Sequence, residues 1–337
     1  MNANQYRLLF ESFKNKSVLI IGDMMVDAYI WGKVDRISPE APVPVVRVGR
    51  RDSRLGGAAN VALNIKSLGA EAILLSVTGD DARGKELLAL MDEASLPADG
   101  ILLSQKRITT TKFRIIGNNT QMLRVDEEID EPLSPEDKSA LIALFDTILQ
   151  QRKIDAIVFQ DYDKGVIDPA LIDHVVKHAR QKSIPVAVDP KKRNFFAYQG
   201  VSLFKPNLKE LKEGLKADET PEGDQLEVAV RQLQESLHAD AVMVTRSEKG
   251  VYLQQRDATG ETTSFHIPAI IRHIADVSGA GDTVISVATL CLACGLDGYE
   301  MASVANRAGG LVCEMVGVVP VDREALLSEL MRDEQGN

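Results

Sequence analysis

The composition is that of a large, acidic chain without the features of a secreted or membrane protein. Its 337 residues are 45% hydrophobic and carry a formal charge of −10, so the chain has no overall basic field with which to bind a nucleic acid or an anionic membrane. Its three cysteines lie late in the chain and cannot form a disulfide framework, and no run reaches the about 18 apolar residues of a membrane span. We therefore expect a cytoplasmic protein whose partners are small molecules.

The first predicted strand covers residues 17–21, an apolar run of the kind found in buried parallel strands. It ends at Gly22, and Asp23 and Asp27 follow. Ligands of open α/β sheets bind beyond the carboxyl ends of the strands. We therefore expect both aspartates to lie near a binding crevice.

Two segments differ in character from the rest of the chain. Residues 29–50 contain three prolines between alternating apolar residues, and residues 107–126 surround a turn at Gly117, Asn118 and Asn119. Both patterns favour exposed or edge strands over helices. The two segments together predict a small sheet separate from the main core.

The remaining sequence alternates between predicted helices and strands. Helices are predicted over 56–68, 85–94, 135–150, 169–182 and 225–237, strands over 72–77, 156–159, 186–188, 203–204 and 241–245, a hairpin over 250–267, and two closing helices, one from Gly279 and one over 299–315. This alternation predicts a mostly parallel sheet with helices on both faces. We expect a single domain over residues 1–331 and a polar tail over 332–337.

Residues 276–283 carry the strongest chemical signal. They read Asp-Val-Ser-Gly-Ala-Gly-Asp-Thr and precede an apolar helical run. Small residues allow a ligand to approach the backbone, and a helix start favours a phosphoryl group. Asp282 could cap this helix, or it could accept a proton from a hydroxyl group while neighbouring amides stabilise a transferring phosphoryl group. The sequence contains no Walker A loop, protein-kinase catalytic loop or dinucleotide fingerprint, so phosphate must be bound in another way.

Residues 56–60, Gly-Gly-Ala-Ala-Asn, and residues 276–283 resemble the two signatures of the ribokinase-like (PfkB) carbohydrate kinases, in the same order and separation. Segments over 22–27, 36–45, 161–165, 189–191 and 245–248 resemble the branch of this family that phosphorylates the 1-hydroxyl of D-glycero-D-manno-heptose 7-phosphate for lipopolysaccharide synthesis. The resemblance implies an α/β ribokinase-like fold, ATP and Mg²⁺ as cofactors, and a β lid. It further implies a homodimer formed through the lid.

The resemblance also implies roles for individual residues. Asp282 is the implied base, and the amides of Gly279, Ala280 and Gly281 are the implied anion hole. ATP contacts are implied for Asn207, Glu210, Thr245, Ser247, Glu248, Gly250 and Asn306, with Glu210 ordering Mg²⁺ through water. Sugar contacts are implied for Asp23, Asp27, Gly56, Gly57 and Asn60, and a monovalent cation such as K⁺ for Asp276 and Ser278.

A phosphorylated sugar needs cationic partners, which bind phosphate through charge-assisted hydrogen bonds. The candidates are Lys112, Arg114, Arg124, Lys164 and Lys191. Each alone is also common as a solvated surface charge, so the prediction rests on the cluster.

Two other residue types give no functional signal. Cys291 and Cys294 lie in an apolar helical run and are predicted to be core residues, and the five histidines show no metal-ligand spacing. The sequence also lacks an HxGH-like nucleotidyltransferase motif. We therefore expect a separate protein to carry out the nucleotidyl transfer that would follow phosphorylation.

Two alternatives remain open at this point. The chain could phosphorylate another sugar, sugar phosphate or nucleoside with the same residues. It could also be a catalytically silent sensor of sugars or nucleotides, because a fold does not determine a function.

Overall fold

Strands and helices alternate along most of the chain in the computed structural model, which describes residues 1–257, 259–270 and 272–332. The helices are α1 (Ala3–Phe13), α2 (Ala58–Ser67), α3 (Ala82–Glu93), α4 (Pro135–Gln151), α5 (Pro169–Gln181), α6 (Leu208–Leu215), α7 (Asp224–Leu237), α8 (Ala280–Ala293), α9 (Gly298–Val312) and α10 (Arg323–Arg332). The strands are β1 (Ser17–Gly22), β2 (Met24–Ile37), β3 (Pro44–Gly57), β4 (Glu71–Gly79), β5 (Ile101–Ser104), β6 (Thr111–Gly117), β7 (Thr120–Glu127), β8 (Ala156–Gln160), β9 (Val186–Asp189), β10 (Leu203–Phe204), β11 (Ala241–Thr245), β12 (Val251–Arg256) and β13 (Thr262–Ile267).

The large sheet has nine strands in the order β13-β12-β11-β10-β9-β8-β1-β4-β5. Its strands pair in parallel except at one edge, where β12 pairs antiparallel with β11 and β13. Ile20 of β1 lies between Leu74 of β4 and Val158 of β8, and all three are buried. Strands buried on both faces need apolar residues throughout, which is why these strands could be predicted from sequence.

Helices cover both faces of this sheet, as predicted. One apolar cluster joins the sheet to α1, α2, α8, α9 and α10, and includes Phe10, Ile65, Ile285 and Leu326. The other joins it to α4, α5 and α7, and includes Phe145, Val175 and Val230. Cys291 is fully buried in α8, which confirms that it belongs to the core, whereas Cys294 at the end of this helix is only partly buried. Within the described residues, no helix has the length and apolar character needed to cross a membrane.

The second sheet has four strands in the order β3-β2-β6-β7, and it contains both segments predicted to be separate from the core. The first six residues of β2 are buried and its last three are exposed. Because β2 starts just after the carboxyl end of β1, the sheet extends outward from that edge of the core. We call it the small sheet.

The small sheet has one polar and one apolar face, because successive side chains of a strand point to opposite faces. The registers Asp27–Lys112–Asp126 and Tyr29–Arg114–Arg124 place these six residues on its polar face. The registers Ala28–Phe113–Val125 and Ile30–Ile115–Leu123 form its apolar face.

The elements that the sequence analysis missed are short. β5 has four residues, α6 eight, α10 ten and α1 eleven, and such segments carry little hydrophobic periodicity. The prediction of two closing helices was therefore wrong, because α10 follows α9. Of the predicted tail, Arg332 is the last residue of α10, and residues 333–337 lie outside the described part of the chain.

Candidate active site

Asp282 lies in the first turn of α8 and is the centre of a buried polar cluster. Its Oδ2 accepts a hydrogen bond from Nδ2 of Asn60 at 2.7 Å. Its Oδ1 accepts from the hydroxyl of Tyr162 at 2.8 Å and from Nε2 of Gln160 at 3.2 Å. Burial raises the pKa of Asp282 to about 6, helped by the charge of Asp189 and opposed by the hydrogen bonds from Asn60 and Tyr162. At neutral pH the carboxylate is therefore ionised and still basic enough to accept a proton.

The glycine-rich turn before Asp282 leaves room for a ligand. Gly279 caps α8 with φ 82°, a left-handed conformation that glycine adopts without steric cost, and a Cβ there would lie 3.0 Å from Nδ2 of Asn60. A Cβ on Gly281 would have only ordinary contacts, at 3.8 Å from Asp189 and 3.9 Å from Lys205. The amides of a first helical turn have no acceptor within the helix. The turn therefore presents N–H groups and the positive end of the helix dipole to the crevice.

The crevice lies at the carboxyl ends of the parallel strands, where the sequence analysis expected it. Gln160 ends β8 and pairs with Asp189 at the end of β9. Lys205 follows β10 and forms an ion pair with Asp189 at 3.0 Å, in which both side chains are less than a tenth exposed. Asn60 reaches the same place from α2, whose N-cap is Gly57.

Asp276 anchors the glycine-rich turn to a neighbouring loop. One of its carboxylate oxygens accepts from the N–H of Ser278 at 2.9 Å and the other from the N–H of Gly317 at 2.9 Å. Burial acts to raise the pKa of Asp276, but the hydrogen bonds from Ser278 and Gly317 outweigh it and lower this pKa. The side chain is therefore held as an ionised acceptor beside the turn.

Asp23, for which the family resemblance implies a sugar contact, is buried against the 162–166 loop. It is 1% exposed, and its carboxylate accepts hydrogen bonds from the backbone N–H groups of Tyr162, Lys164 and Val166 at 2.9, 3.2 and 3.1 Å. Burial and the charge of Asp161 raise the pKa of Asp23 to about 6. Its acceptor sites are directed at the 162–166 loop, so Asp23 positions this loop and, with it, Tyr162.

Asp27 lies on the polar face of the small sheet and is 3% exposed. Its carboxylate forms a short ion pair with the guanidinium of Arg114, which also lies over the ring of Tyr29 at 5.4 Å. A Cβ on Gly56 would lie 2.5 Å from Oδ2 of Asp27. Any larger residue at position 56 would clash with the Asp27 carboxylate. This close approach explains why Gly56, one of the two glycines predicted near the sugar, is a glycine.

The cationic candidates Lys112 and Arg124 of this sheet and Lys164 of the 162–166 loop are also paired with carboxylates. Nζ of Lys112 lies 3.6 Å from Oδ2 of Asp126 and 3.3 Å from Oε2 of Glu128. Lys164 lies 2.7 Å from the same Glu128, and Arg124 lies 3.0 Å from Asp126 at a more exposed position. The structure thus gathers four of the five predicted cations, including Arg114, in one region. Lys191 lies apart from them.

Asn207 and Glu210 form a capping box at the start of α6. The N–H of Glu210 donates to Asn207 Oδ1 at 2.8 Å, and the N–H of Asn207 donates to Glu210 Oε2 at 2.9 Å. The other oxygen of Glu210 contacts the ammonium of Lys191, which lies 5.3 Å from the ring centre of Tyr162. Burial acts to lower the pKa of Lys191, but Asp189 and Glu210 raise it. This ion pair connects the predicted nucleotide residues to the surroundings of Asp282.

The remaining predicted ATP contacts lie around the antiparallel edge of the large sheet. Thr245 ends β11, and the 3-10 turn Ser247–Lys249 follows it. Gly250 ends this turn with φ 77°. Asn306 lies on α9 and donates to the carbonyl of Pro268 at 2.9 Å.

Sequence reasoning missed the contacts that Gln160, Tyr162 and Lys205 make in this cluster. Tyr162 lies in the 161–165 segment that resembles the family, whereas Gln160 and Lys205 are polar residues at or after strand ends, a signal that could have singled them out. Asn60 Oδ1 and Gln160 Oε1 are buried and lack a hydrogen-bond partner among the residues that the structure describes. Buried polar atoms without partners are rare in proteins, so this pair indicates the place of a polar ligand beside Asp282.

Comparison with solved structures identifies the class of fold. Phosphofructokinase-2 from Escherichia coli in complex with potassium superposes with a TM-score of 0.76 at 19% identity, over 95% of this chain and 99% of that one. Arabidopsis thaliana ribokinase complexed with ribose and ATP superposes with a TM-score of 0.71 at 19% identity, over 94% and 98%. The fold is therefore ribokinase-like, as predicted.

Sequence comparison identifies the family. Residues 15–324 match the model of the pfkB family of carbohydrate kinases. The chain is 41% identical over 314 residues to the bifunctional protein HldE of Methylobacillus flagellatus, an alignment that covers 93% of this chain and 63% of that protein. Against a second HldE, from Caulobacter vibrioides, it spans 62% of the relative's length. The chain belongs to the pfkB family of carbohydrate kinases.

Proposed function

We propose that this chain transfers the γ-phosphoryl group of ATP to the 1-hydroxyl of D-glycero-D-manno-heptose 7-phosphate, and so supplies activated heptose for lipopolysaccharide synthesis. The observation that carries the kinase proposal is the carboxylate of Asp282, buried at a glycine-rich helix start and held by Asn60, Tyr162 and Gln160. The choice of heptose 7-phosphate rests on the motif segments of the sequence and on the 41% identity to an HldE protein.

In the proposed reaction, Asp282 accepts the proton of the attacking hydroxyl as the new bond to phosphorus forms. Its three donors keep the carboxylate in one orientation, and Asn60 Oδ1 and Gln160 Oε1 are available to the sugar hydroxyls. The N–H groups of Gly279, Ala280 and Gly281 stabilise the charge that develops on the transferring group.

The nucleotide is proposed to lie between the glycine-rich turn and the 3-10 turn Ser247–Lys249. The oxygens of Glu210 are already bound by Asn207 and Lys191, which fits an outer-sphere contact to Mg²⁺ through water. When bound, Mg²⁺ would neutralise charge on the phosphate oxygens. Asp276 and Ser278 are proposed to border a K⁺ site, since the ionised carboxylate of Asp276 lies beside the turn.

The polar face of the small sheet is proposed to bind the 7-phosphate. Four cationic side chains and three carboxylates lie there, so the region holds one more cationic than anionic group. The cations are Lys112, Arg114, Arg124 and Lys164, and the carboxylates are Asp27, Asp126 and Glu128. The sheet would act as a lid that covers the sugar and excludes water.

The apolar face of the same sheet is proposed to pair with its copy in a homodimer. Leu123 and Val125 are two residues apart on β7, on the same face, and are 54% and 42% exposed. Exposed apolar groups at a sheet edge are a common site of association.

The test is ATP-dependent turnover of the purified chain on heptose 7-phosphate, fructose 6-phosphate, free sugars and a nucleoside, with Asp282→Asn as the matched variant. We expect heptose 7-phosphate to have the highest kcat/KM, and the variant to lose about 10²-fold or more in kcat. A higher kcat/KM for another acceptor would show that heptose 7-phosphate is not the preferred substrate and would leave only the kinase proposal. Ligand binding without turnover on any acceptor would favour the sensor.

A further inference from the structure

A second polar cluster lies between α4 and α5, away from the crevice. Asp146, His174 and His178 each offer one ligand atom, and these atoms all lie within 4.8 Å of one another. α5 begins beyond the carboxyl end of β8 and leads back to the start of β9. His174 lies near the middle of α5 and His178 in its second half, so the cluster lies away from the carboxyl edge of the sheet, where Asp282 is found.

The sequence analysis assigned no histidine to a metal, because the chain contains no HExxH or similar motif. His174 and His178 are four residues apart in α5, so their side chains are neighbours on one helix face. α4 packs against this face and supplies Asp146, which is 28 residues from His174 along the chain. Only the packing of the two helices brings the carboxylate to the histidine pair.

The hydrogen bonds determine which nitrogen atoms are free to bind a metal. Nδ1 of His178 lies 2.7 Å from the backbone carbonyl of His174, and a carbonyl oxygen can only accept. Nδ1 of His178 therefore carries the proton, and its Nε2 keeps a lone pair in the neutral ring. Metal-binding histidines usually donate their second N–H in this way.

His174 and Asp146 share a position that a cation could occupy. Nε2 of His174 lies 2.8 Å from Oδ1 of Asp146, a contact that a proton now bridges. Ligand bonds of about 2.0–2.1 Å in a tetrahedral zinc site place neighbouring ligand atoms about 3.3 Å apart. This pair would therefore widen by about half an ångström to admit the ion, while ligand atoms of the cluster that are up to 4.8 Å apart would move closer by up to about 1.5 Å.

The two imidazole rings are held in place by Phe145. This fully buried residue contacts the rings of His174 and His178 edge-on, with centroids at 5.7 and 6.2 Å. The side chains of His174 and Asp146 remain 27% and 37% exposed. An ion can therefore enter from solvent, and water can complete its coordination.

We propose that Asp146, His174 and His178 bind one Zn²⁺ ion, with water as the fourth ligand, and that the ion joins α4 to α5. Two imidazoles and one carboxylate suit zinc, whereas Mg²⁺ and Ca²⁺ prefer oxygen ligands throughout. Binding displaces the proton between His174 and Asp146, and the neutral ring of His174 then carries its proton on Nδ1. The site is independent of the proposed kinase reaction.

The test is calorimetric titration of the metal-free, full-length chain with Zn²⁺, alongside His178→Gln and Asp146→Asn. His266→Gln is the matched control, because His266 has a carboxylate neighbour, Glu227 at 3.3 Å, but belongs to no three-ligand cluster within the described residues. We expect one Zn²⁺ per chain in the wild type and the control, and affinity at least about tenfold weaker in the two cluster variants.

Thermal unfolding gives a second readout. Zn²⁺ should raise the Tm of the wild type and of His266→Gln, because it binds only the folded chain, and should leave the Tm of both cluster variants almost unchanged. Circular dichroism without metal checks that each variant is folded, and Asp146→Asn serves if His178→Gln is not. Unchanged zinc affinity and an unchanged Tm shift in the folded cluster variants would assign the ion to other groups, such as the cysteines, and overturn the proposal.

Discussion

Tyr162 donates its hydroxyl to Oδ1 of Asp282 at 2.8 Å, from a loop whose backbone N–H groups bind the carboxylate of Asp23. Burial and the nearby charge of Asp282 raise the pKa of Tyr162 well above its ordinary value, so the hydroxyl keeps its proton. The buried Asp23 is thus connected to the proposed base through one loop. The tyrosine stabilises the ionised form of Asp282, because a hydrogen bond to a carboxylate favours its charge.

The first prediction concerns Tyr162→Phe. The pKa of Asp282 is about 6 in the wild type, so kcat/KM should fall as the pH drops below about 6 and the base is protonated. Removing the tyrosine donor should raise this pKa by about 1 unit, since a hydrogen bond to a charged group contributes about 1.5–3 kcal/mol. The pH profile of kcat/KM should therefore move its acidic limb to higher pH.

The control for this experiment is Tyr198→Phe. Tyr198 donates to Asp161 at 2.7 Å and not to Asp282, so its loss should lower stability without moving the acidic limb. If the acidic limb of the pH profile were the same in Tyr162→Phe as in the wild type, the hydrogen bond from Tyr162 would not affect the pKa of Asp282.

The second prediction concerns stability as a function of pH. The pKa of Asp282 rises from 3.8 to about 6 on folding, so the folded state binds more protons than the unfolded state between these values. The contribution of this group to the free energy of unfolding therefore decreases as the pH rises from about 4 to about 6. Asp282→Asn lacks this loss. As the pH rises across this range, the free energy of unfolding of the variant should therefore increase by up to about 3 kcal/mol relative to that of the wild type.

Urea unfolding of both proteins at several pH values measures this difference. Any constant effect of the amide on its three donors cancels, because only the change with pH is compared. A difference that stays constant between pH 4 and pH 6 would show that the pKa of Asp282 is not raised.

The third prediction compares two glycines of the same turn. Gly279→Ala places a Cβ at φ 82° and 3.0 Å from Asn60, so it should lower stability by about 1 kcal/mol or more and also reduce activity. Gly281→Ala meets no atom closer than 3.8 Å and lies in a helix, so stability should stay within about 0.5 kcal/mol. Its methyl group points toward Asp189 and Lys205 in the crevice, so kcat should fall.

Tm and kcat of the two variants separate these effects. Full activity in Gly281→Ala would mean that the phosphoryl group does not approach this part of the turn.

The sequence was most informative where one local segment contains the whole signal. The glycine-rich turn and Asp282 are contiguous, and the buried strands are apolar throughout, so both could be predicted. The bond between Asn60 and Asp282 joins residues 222 positions apart, and no local pattern indicates it. Asp23 was expected near a binding crevice because it follows a strand, and its sugar contact, which the family resemblance implies, stays a prediction. Its contacts with the 162–166 loop depend on the pairing of β1 with β8.

The helices show the same limit. α6 was missed although Asn207 and Glu210 carry a capping-box pattern, because eight residues show little periodicity. The histidine pair of α5 is local, whereas its partner Asp146 comes from another helix. Contacts between elements of distant sequence position required the packed structure.

The fourth prediction tests the proposed phosphate site with two arginines of the polar face. Arg114 is partly buried and paired with Asp27, whereas Arg124 is 52% exposed and paired with Asp126. Arg114→Met should raise KM for the phosphorylated sugar by about tenfold or more, because a partly buried charged contact is worth more than an exposed one. Arg124→Met should change it much less.

Comparison with the unphosphorylated sugar separates phosphate binding from damage to Asp27. The ratio of kcat/KM for the two sugars should fall in Arg114→Met only. An equal loss for both sugars would mean that Arg114 serves Asp27 and does not bind the phosphate.

The fifth prediction concerns the apolar face of the small sheet. Leu123 is 54% exposed on β7, and a charge at this position would have to be desolvated in a dimer that buries the face. Leu123→Glu should therefore sediment as a monomer at concentrations where the wild type is dimeric, without loss of Tm at the monomer level. Val228→Glu is the matched control, because Val228 is 52% exposed on α7, outside the small sheet. If Leu123→Glu and the wild type sedimented alike, the apolar face would not be the dimer interface.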